Sequence, residues 1–154
     1  MRPSLVSPPA GSHPARMPPR ADAAVLARIQ RVAPRPGLRA LLLFGSRATE
    51  ATHAGSDWDF ALLREAGSAR STLDLDGLRI DLAEAVASDR VDVVDLAQAS
   101  ALLRYRVARD GHVLCSTDPD AVPRFQIEAA SFWCDVEPVL RRAYDGVLEE
   151  LGRA

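Results

Sequence analysis

The chain has 154 residues, a formal net charge of -2 and 19 basic residues, every one of them arginine; lysine and asparagine are both absent. This composition excludes a Walker A lysine, a Schiff-base lysine, a kinase-type lysine and a Cys-His-Asn protease. Any phosphate this chain handles must be met by arginine and backbone N–H groups.

The length suits one domain, and the contents of 47% hydrophobic and 26% charged residues are ordinary for a globular protein. No apolar run approaches the ~20 residues of a membrane helix. The N-terminus lacks the apolar centre of a signal peptide, so a cytoplasmic location is expected. Cys115 and Cys134 read as small buried hydrophobes in a reducing compartment. Residues 1–20 hold six of the 11 prolines, three arginines and no acid. They are expected to form a disordered tail, with Met17 an alternative start. The overall charge gives no reason to expect a long nucleic-acid footprint.

Asp22 is suited to cap a first helix that places Val25, Leu26, Ile29 and Val32 on one stripe and ends at Pro34, Pro36 and Gly37. Leu38–Phe44 is a short, nearly continuous apolar run that suits a buried strand. Gly45 and Ser46 open a polar stretch to Ser56, and Asp57–Leu63 reads as a second strand. After a loop over 64–72, the spacing of Leu75, Leu78, Leu82 and Val86 predicts a helix over 73–87. Val91–Leu96 is the third strand. A helix over 97–109 follows, with Leu102, Leu103 and Val107 inward and Gly111 at its end. His112–Ser116 is the fourth strand. Asp118 or Asp120 then opens a long helix whose stripe includes Phe125, Phe132, Val136, Val139, Ala143 and Val147; Pro138 within it predicts a kink or a break. The order predicts a small α/β (α+β) domain over 21–117, a mixed sheet of about four strands flanked by helices, and a C-terminal helical extension over 118–154.

The informative stretch is residues 41–63. A buried strand runs straight into Gly45-Ser46-Arg47, where glycine lets the backbone turn and approach a ligand. The free N–H groups that follow suit phosphate, and Ser46 and Arg47 add a hydroxyl and a cationic fork. Alone, such a pair reads as an ordinary tight turn. Asp57 and Asp59 change that reading. Two apart on a strand, they share a face roughly 6.6 Å apart, and two such carboxylates repel unless a cation lies between them. Magnesium takes one or two carboxylates together with substrate phosphates. A third acid lies in Val91-Asp92-Val93-Val94-Asp95. Asp92 is inside the apolar run and is favoured as functional, whereas Asp95 at its end is placed to cap the next helix.

Gly45-Ser46, ten residues and then Asp57-x-Asp59 resembles the signature of the nucleotidyltransferase superfamily related to DNA polymerase beta. Gly45-Ser46-Arg47-Ala48 with Ser56-Asp57-Trp58-Asp59 resembles its minimal, single-domain MNT branch, and within it the antitoxins paired with HEPN ribonuclease toxins. The resemblance covers roughly residues 24–116 and implies a small nucleotidyltransferase fold. Glu50 stands where many relatives carry glycine, which stiffens the loop and adds negative charge. Trp58 stands where they carry an aliphatic residue and is expected to pack, facing away from the aspartates.

The resemblance implies transfer of AMP from ATP with release of pyrophosphate, using two Mg2+ ions. Asp57, Asp59 and Asp92 are then the catalytic and metal-binding residues, with Asp92 nearest the acceptor. Gly45, Ser46, Arg47 and Ser56 are the nucleotide-binding residues. The implied acceptor is a tyrosine hydroxyl of a partner HEPN toxin. A small-molecule, aminoglycoside-like transferase and a non-catalytic toxin-binding module are the alternatives; the former usually carries an additional domain, for which only about 37 residues after Thr117 leave little room. Phe132, Trp133, Tyr144 and Leu148 put apolar residues on more than one face of the tail. Either they cover the sheet or they form a surface for the toxin or a second copy. The arginines of Arg104-Tyr105-Arg106 read as a solvated helix face rather than a nucleic-acid site.

Overall fold

The computed structural model describes residues 22–49, 55–65, 67 and 73–152. The expected tail over 1–20 and Glu50 lie outside these. The elements in chain order are α1 (Ala23–Val32), β1 (Leu38–Phe44), a 3-10 turn (Gly45–Ala48), β2 (Trp58–Arg64), α2 (Leu75–Val86), β3 (Val91–Asp95), α3 (Ala101–Asp110), β4 (His112–Ser116) and α4 (Ala121–Leu151). The strands form one mixed sheet in the order β3-β2-β1-β4. β1 pairs antiparallel with β2 and β4, and β2 pairs parallel with β3 through the α2 crossover.

Strand alternation divides the core between two faces. Leu41, Leu43, Phe60 and Leu62 pack against α1 and α2, which contribute Leu26, Ile29, Leu78 and Leu82. Ala40, Leu42 and Ala61 face Val107 of α3 and Phe125 and Ala129 of α4. β1 is the centre of the fold: Leu41, Leu42 and Leu43 are fully buried because helices cover both faces of the strand.

Asp22 caps α1 through a hydrogen bond from the Ala24 N–H. Several expectations need correction. The helix expected from residue 97 starts at Ala101, because the Asp95 carboxylate accepts the Ala97 N–H at 3.0 Å and turns the chain, and Ser100 caps the helix instead. Leu102, expected inside, is exposed, and Ala108 is buried in its place. α4 runs without a break through Pro138. The carbonyl released there lies on the exposed part of the helix, within reach of water.

The tail divides between its two expected roles. As far as Ala129, α4 covers the sheet, and the Tyr105 and Trp133 rings stack at 5.6 Å. Beyond that the helix leaves the domain, so Val139, Leu140, Tyr144, Val147, Leu148 and Leu151 are all exposed. Cys134, expected to be buried, is exposed for the same reason.

Candidate active site

The site forms where β1 ends and β2 begins, on the face covered farther along by α3 and α4. Asp59 is in register with Phe44 of β1 on one side and Asp92 of β3 on the other. Strands lie about 4.8 Å apart, so side chains in register on one face are neighbours. Asp59 and Asp92 therefore stand side by side, on the face that Ala61 continues into the core. Trp58 points the opposite way, is 6% exposed and stacks on Phe60.

Gly45 receives the Asp59 carboxylate. Its φ is 72°, a conformation side-chain-bearing residues rarely adopt. A Cβ there would lie 2.1 Å from Asp59 Oδ2. The first and last parts of the sequence signature thus meet directly. Partial burial, then the charges of Asp57 and Asp92, push the Asp59 carboxyl above the usual carboxylate range, while Arg47 pulls it back.

Asp57 lies just ahead of β2, with its carboxylate 3.7 Å from the Arg90 guanidinium, and both side chains are well exposed. Asp92 is exposed, and one of its oxygens accepts the Val93 N–H at 3.0 Å. Among the described residues, no three His, Cys, Asp or Glu side chains converge on one ion as they stand. The donor set nevertheless fits a hard divalent cation in kind: all three are carboxylates, and burial together with the charges of Asp57 and Asp92 raises the Asp59 carboxyl.

Arg47 occupies a different place from the one its sequence position suggests. Its Nε and Nη2 both donate to the Ser56 carbonyl, at 3.0 and 2.7 Å. Its guanidinium lies over the Trp58 ring, 4.2 Å from the centroid. Arg47 thereby ties the turn to the residues ahead of Asp57. Ser56 is buried, and its carbonyl anchors this tie. Ser46 lies within the 3-10 turn, its carbonyl accepting the Thr49 hydroxyl at 3.2 Å.

Asp95 is fully engaged in structure. It is 9% exposed, accepts from Arg64 Nε at 2.6 Å and also accepts from Gln98. Burial pushes its carboxyl up, but these bonds and that of the Ala97 N–H hold it below the usual range. Sequence reasoning missed His112, whose Nε2–H donates to the Ala48 carbonyl at 2.9 Å and fixes the far end of the 3-10 turn. No local pattern marks it, because its partner lies 64 residues away.

A mixed sheet with an Asp pair at the start of its second strand, abutting a Gly-Ser turn, defines a minimal nucleotidyltransferase. The chain belongs to the polymerase beta-type nucleotidyltransferase family, whose model, "Polymerase beta, Nucleotidyltransferase", matches residues 28–120. It is 37% identical over 99 residues to the protein adenylyltransferase MntA of Aphanizomenon flos-aquae (strain 2012/KM1/D3), a match covering 59% of this chain and 65% of that protein. The matched segment thus spans a little under two thirds of that relative. One solved structure, a toxin–antitoxin with AMP-PNP, superposes with a TM-score of 0.64 at 28% identity, covering 80% of this chain and 96% of that one. Another, a tri-AMPylated Shewanella oneidensis HEPN toxin in complex with MNT antitoxin, gives a TM-score of 0.60 at 28% identity, again covering 80% and 96%.

Proposed function

We propose that this chain is a protein adenylyltransferase acting as an antitoxin, which transfers AMP from ATP to a tyrosine hydroxyl of a HEPN-family toxin. The observation that carries this reading is the position of Asp59, beside Asp92 across the sheet and against Gly45 at the end of β1. The named relatives support the acceptor class.

Asp57, Asp59 and Asp92 are the residues that would hold two Mg2+ ions. When bound, the ions neutralise charge on the attacking and leaving oxygens. Asp92, at the exposed end of the row, accepts the proton of the incoming hydroxyl. The hydroxyl oxygen bonds to the α-phosphorus as its bond to pyrophosphate breaks. Gly45 and Ser46 hold the leaving phosphates. Arg47 keeps the turn and Asp57 in mutual position by gripping the Ser56 carbonyl.

The exposed half of α4 supports a protein partner. Tyr144, Leu148 and Leu151 are each about two thirds exposed and recur at the three- and four-residue spacing of one helix face. The same face would serve in self-association. No helix among the described residues is long and apolar enough to cross a membrane, and we place the pair in the cytoplasm, with ATP.

The test is incubation of the chain with Mg2+, ATP labelled at the α-phosphate and its HEPN partner. Label on a toxin tyrosine, absent with Asp59→Asn, is the expected result. A toxin silenced without label identifies a binding module, and label on an aminoglycoside identifies a small-molecule enzyme.

A further inference from the structure

The cation suggested by sequence position, Arg47, is committed to Ser56 and Trp58, and the chain has no lysine. A polyphosphate at the Gly45–Ser46 turn therefore needs another side-chain cation. A cavity of about 250 Å³ opens beside that turn, lined by Phe44, Gly45 and Thr49 on one side and Leu103, Arg106 and Asp110 of α3 on the other. Phe44 is the register partner of Asp59, so the cavity adjoins the aspartate row.

The three residues of Arg104-Tyr105-Arg106 diverge around the helix. Arg104 lies over the Phe125 ring and Tyr105 stacks on Trp133, both on α4. Arg106 alone of the three lines the cavity with Gly45. It is exposed, and no ion pair or hydrogen bond holds it among the described residues. Asp110, the acid on the same wall, accepts from Nε and Nη2 of Arg109, at 2.9 and 2.6 Å, and feels the charge of Arg106 as well. Arg106 thus offers a full fork of donors to an anion in the cavity.

We infer that Arg106 is the side-chain cation that binds the β- and γ-phosphates of the nucleotide, and so distinguishes ATP from AMP. The inference rests on the nucleotidyltransferase reading above. Charge-assisted, forked hydrogen bonds of this kind are among the strong ones. Their loss predicts a weakening of roughly tenfold to hundredfold.

The test is calorimetric titration of the full chain with ATP and AMP in Mg2+, and with inorganic tripolyphosphate in EDTA. Arg106→Gln is expected to weaken ATP and tripolyphosphate roughly tenfold to hundredfold and leave AMP unchanged, and Arg106→Lys to recover part of the loss. In transfer assays, KM for ATP should rise more than kcat falls. Equal ATP binding by Arg106→Gln and wild type overturns the inference and leaves the nucleotidyltransferase reading intact. So does a parallel loss of AMP binding, which marks a merely structural role. Should the Gln variant fail to fold, Arg106→Lys decides: ATP binding equal to that of wild type, or lost together with AMP, overturns the inference, and a selective weakening supports it. A wild-type chain that binds neither ATP nor tripolyphosphate removes both.

Discussion

The carboxylate of Asp59 fills the space that a side chain on Gly45 would occupy. A Cβ on Gly45 would lie 2.1 Å from Asp59 Oδ2, and the backbone there has a φ of 72°. Two independent constraints thus require glycine, one conformational and one steric. Gly45→Ala should displace Asp59 and cost about 1–3 kcal/mol of stability. AMP transfer should fall by two orders of magnitude or more, since misplacement of about 1 Å costs roughly a hundredfold. Denaturant unfolding and the labelled-ATP assay check the two effects together.

Asp59 also carries a cost in the folded chain. Its carboxyl is raised by partial burial and by Asp57 and Asp92. For an acid whose folded pKa is raised, ionisation disfavours the fold, and the penalty is complete once the pH exceeds the raised value. At neutral pH and without divalent ions, Asp59→Asn should therefore raise Tm. Mg2+ should raise the wild-type Tm and leave that of Asp59→Asn unmoved. Thermal melts with and without Mg2+ read both expectations, and a destabilised Asp59→Asn would contradict the electrostatic account.

Asp95 is the opposite case. Its carboxyl is held below the usual range by Arg64, Ala97 and Gln98, so it contributes stability above the unfolded carboxylate value of about 3.9. That contribution is lost as the pH falls through the lower folded value. Asp95→Ala removes the bonds from Arg64, Ala97 and Gln98 and should cost about 1–3 kcal/mol at pH 7. The gap between wild type and variant should close below about pH 4. A gap that stays constant across that range would show that the loss is one of packing alone.

The two halves of α4 should respond differently. Phe125 is 4% exposed, and Phe125→Ala should cost about 3–5 kcal/mol. Tyr144 and Leu148 are 67% and 65% exposed, so Tyr144→Asp with Leu148→Asp should change the stability of the isolated chain by no more than about 0.5 kcal/mol per site. The same pair should weaken capture of the proposed HEPN partner by at least about tenfold, the loss of one modest interface contact. Unchanged partner affinity would exclude this face from the interface.

Much of the geometry of the candidate site was legible in sequence because its signature is local. The ten-residue spacing between Gly45-Ser46 and Asp57-x-Asp59 is chain order, and β1 and β4 were bounded correctly by their apolar runs. The preference for Asp92 over Asp95 rests on position within a strand, and the structure shows Asp95 engaged by Arg64. The expectations for Arg47 and for the start of α3 fell short for a shared reason. Arg47 has its carbonyl partner nine residues along and Trp58 on the neighbouring strand, and Asp95 competes for the N–H groups at the helix start. Periodicity registers neither contact.

The sequence by itself determined which side chains are available: three aspartates, a Gly-Ser turn, arginine as the sole basic residue and a long amphipathic tail. The tertiary structure decided which of them meet. Parallel pairing of β2 with β3 put Asp92 beside Asp59, docking of α3 turned Arg106 toward Gly45, and the end of the sheet left the last turns of α4 uncovered. Composition and spacing are properties of the chain read along its length. Strand register and helix docking depend on contacts between residues far apart in it, and the burial of the whole core settles them.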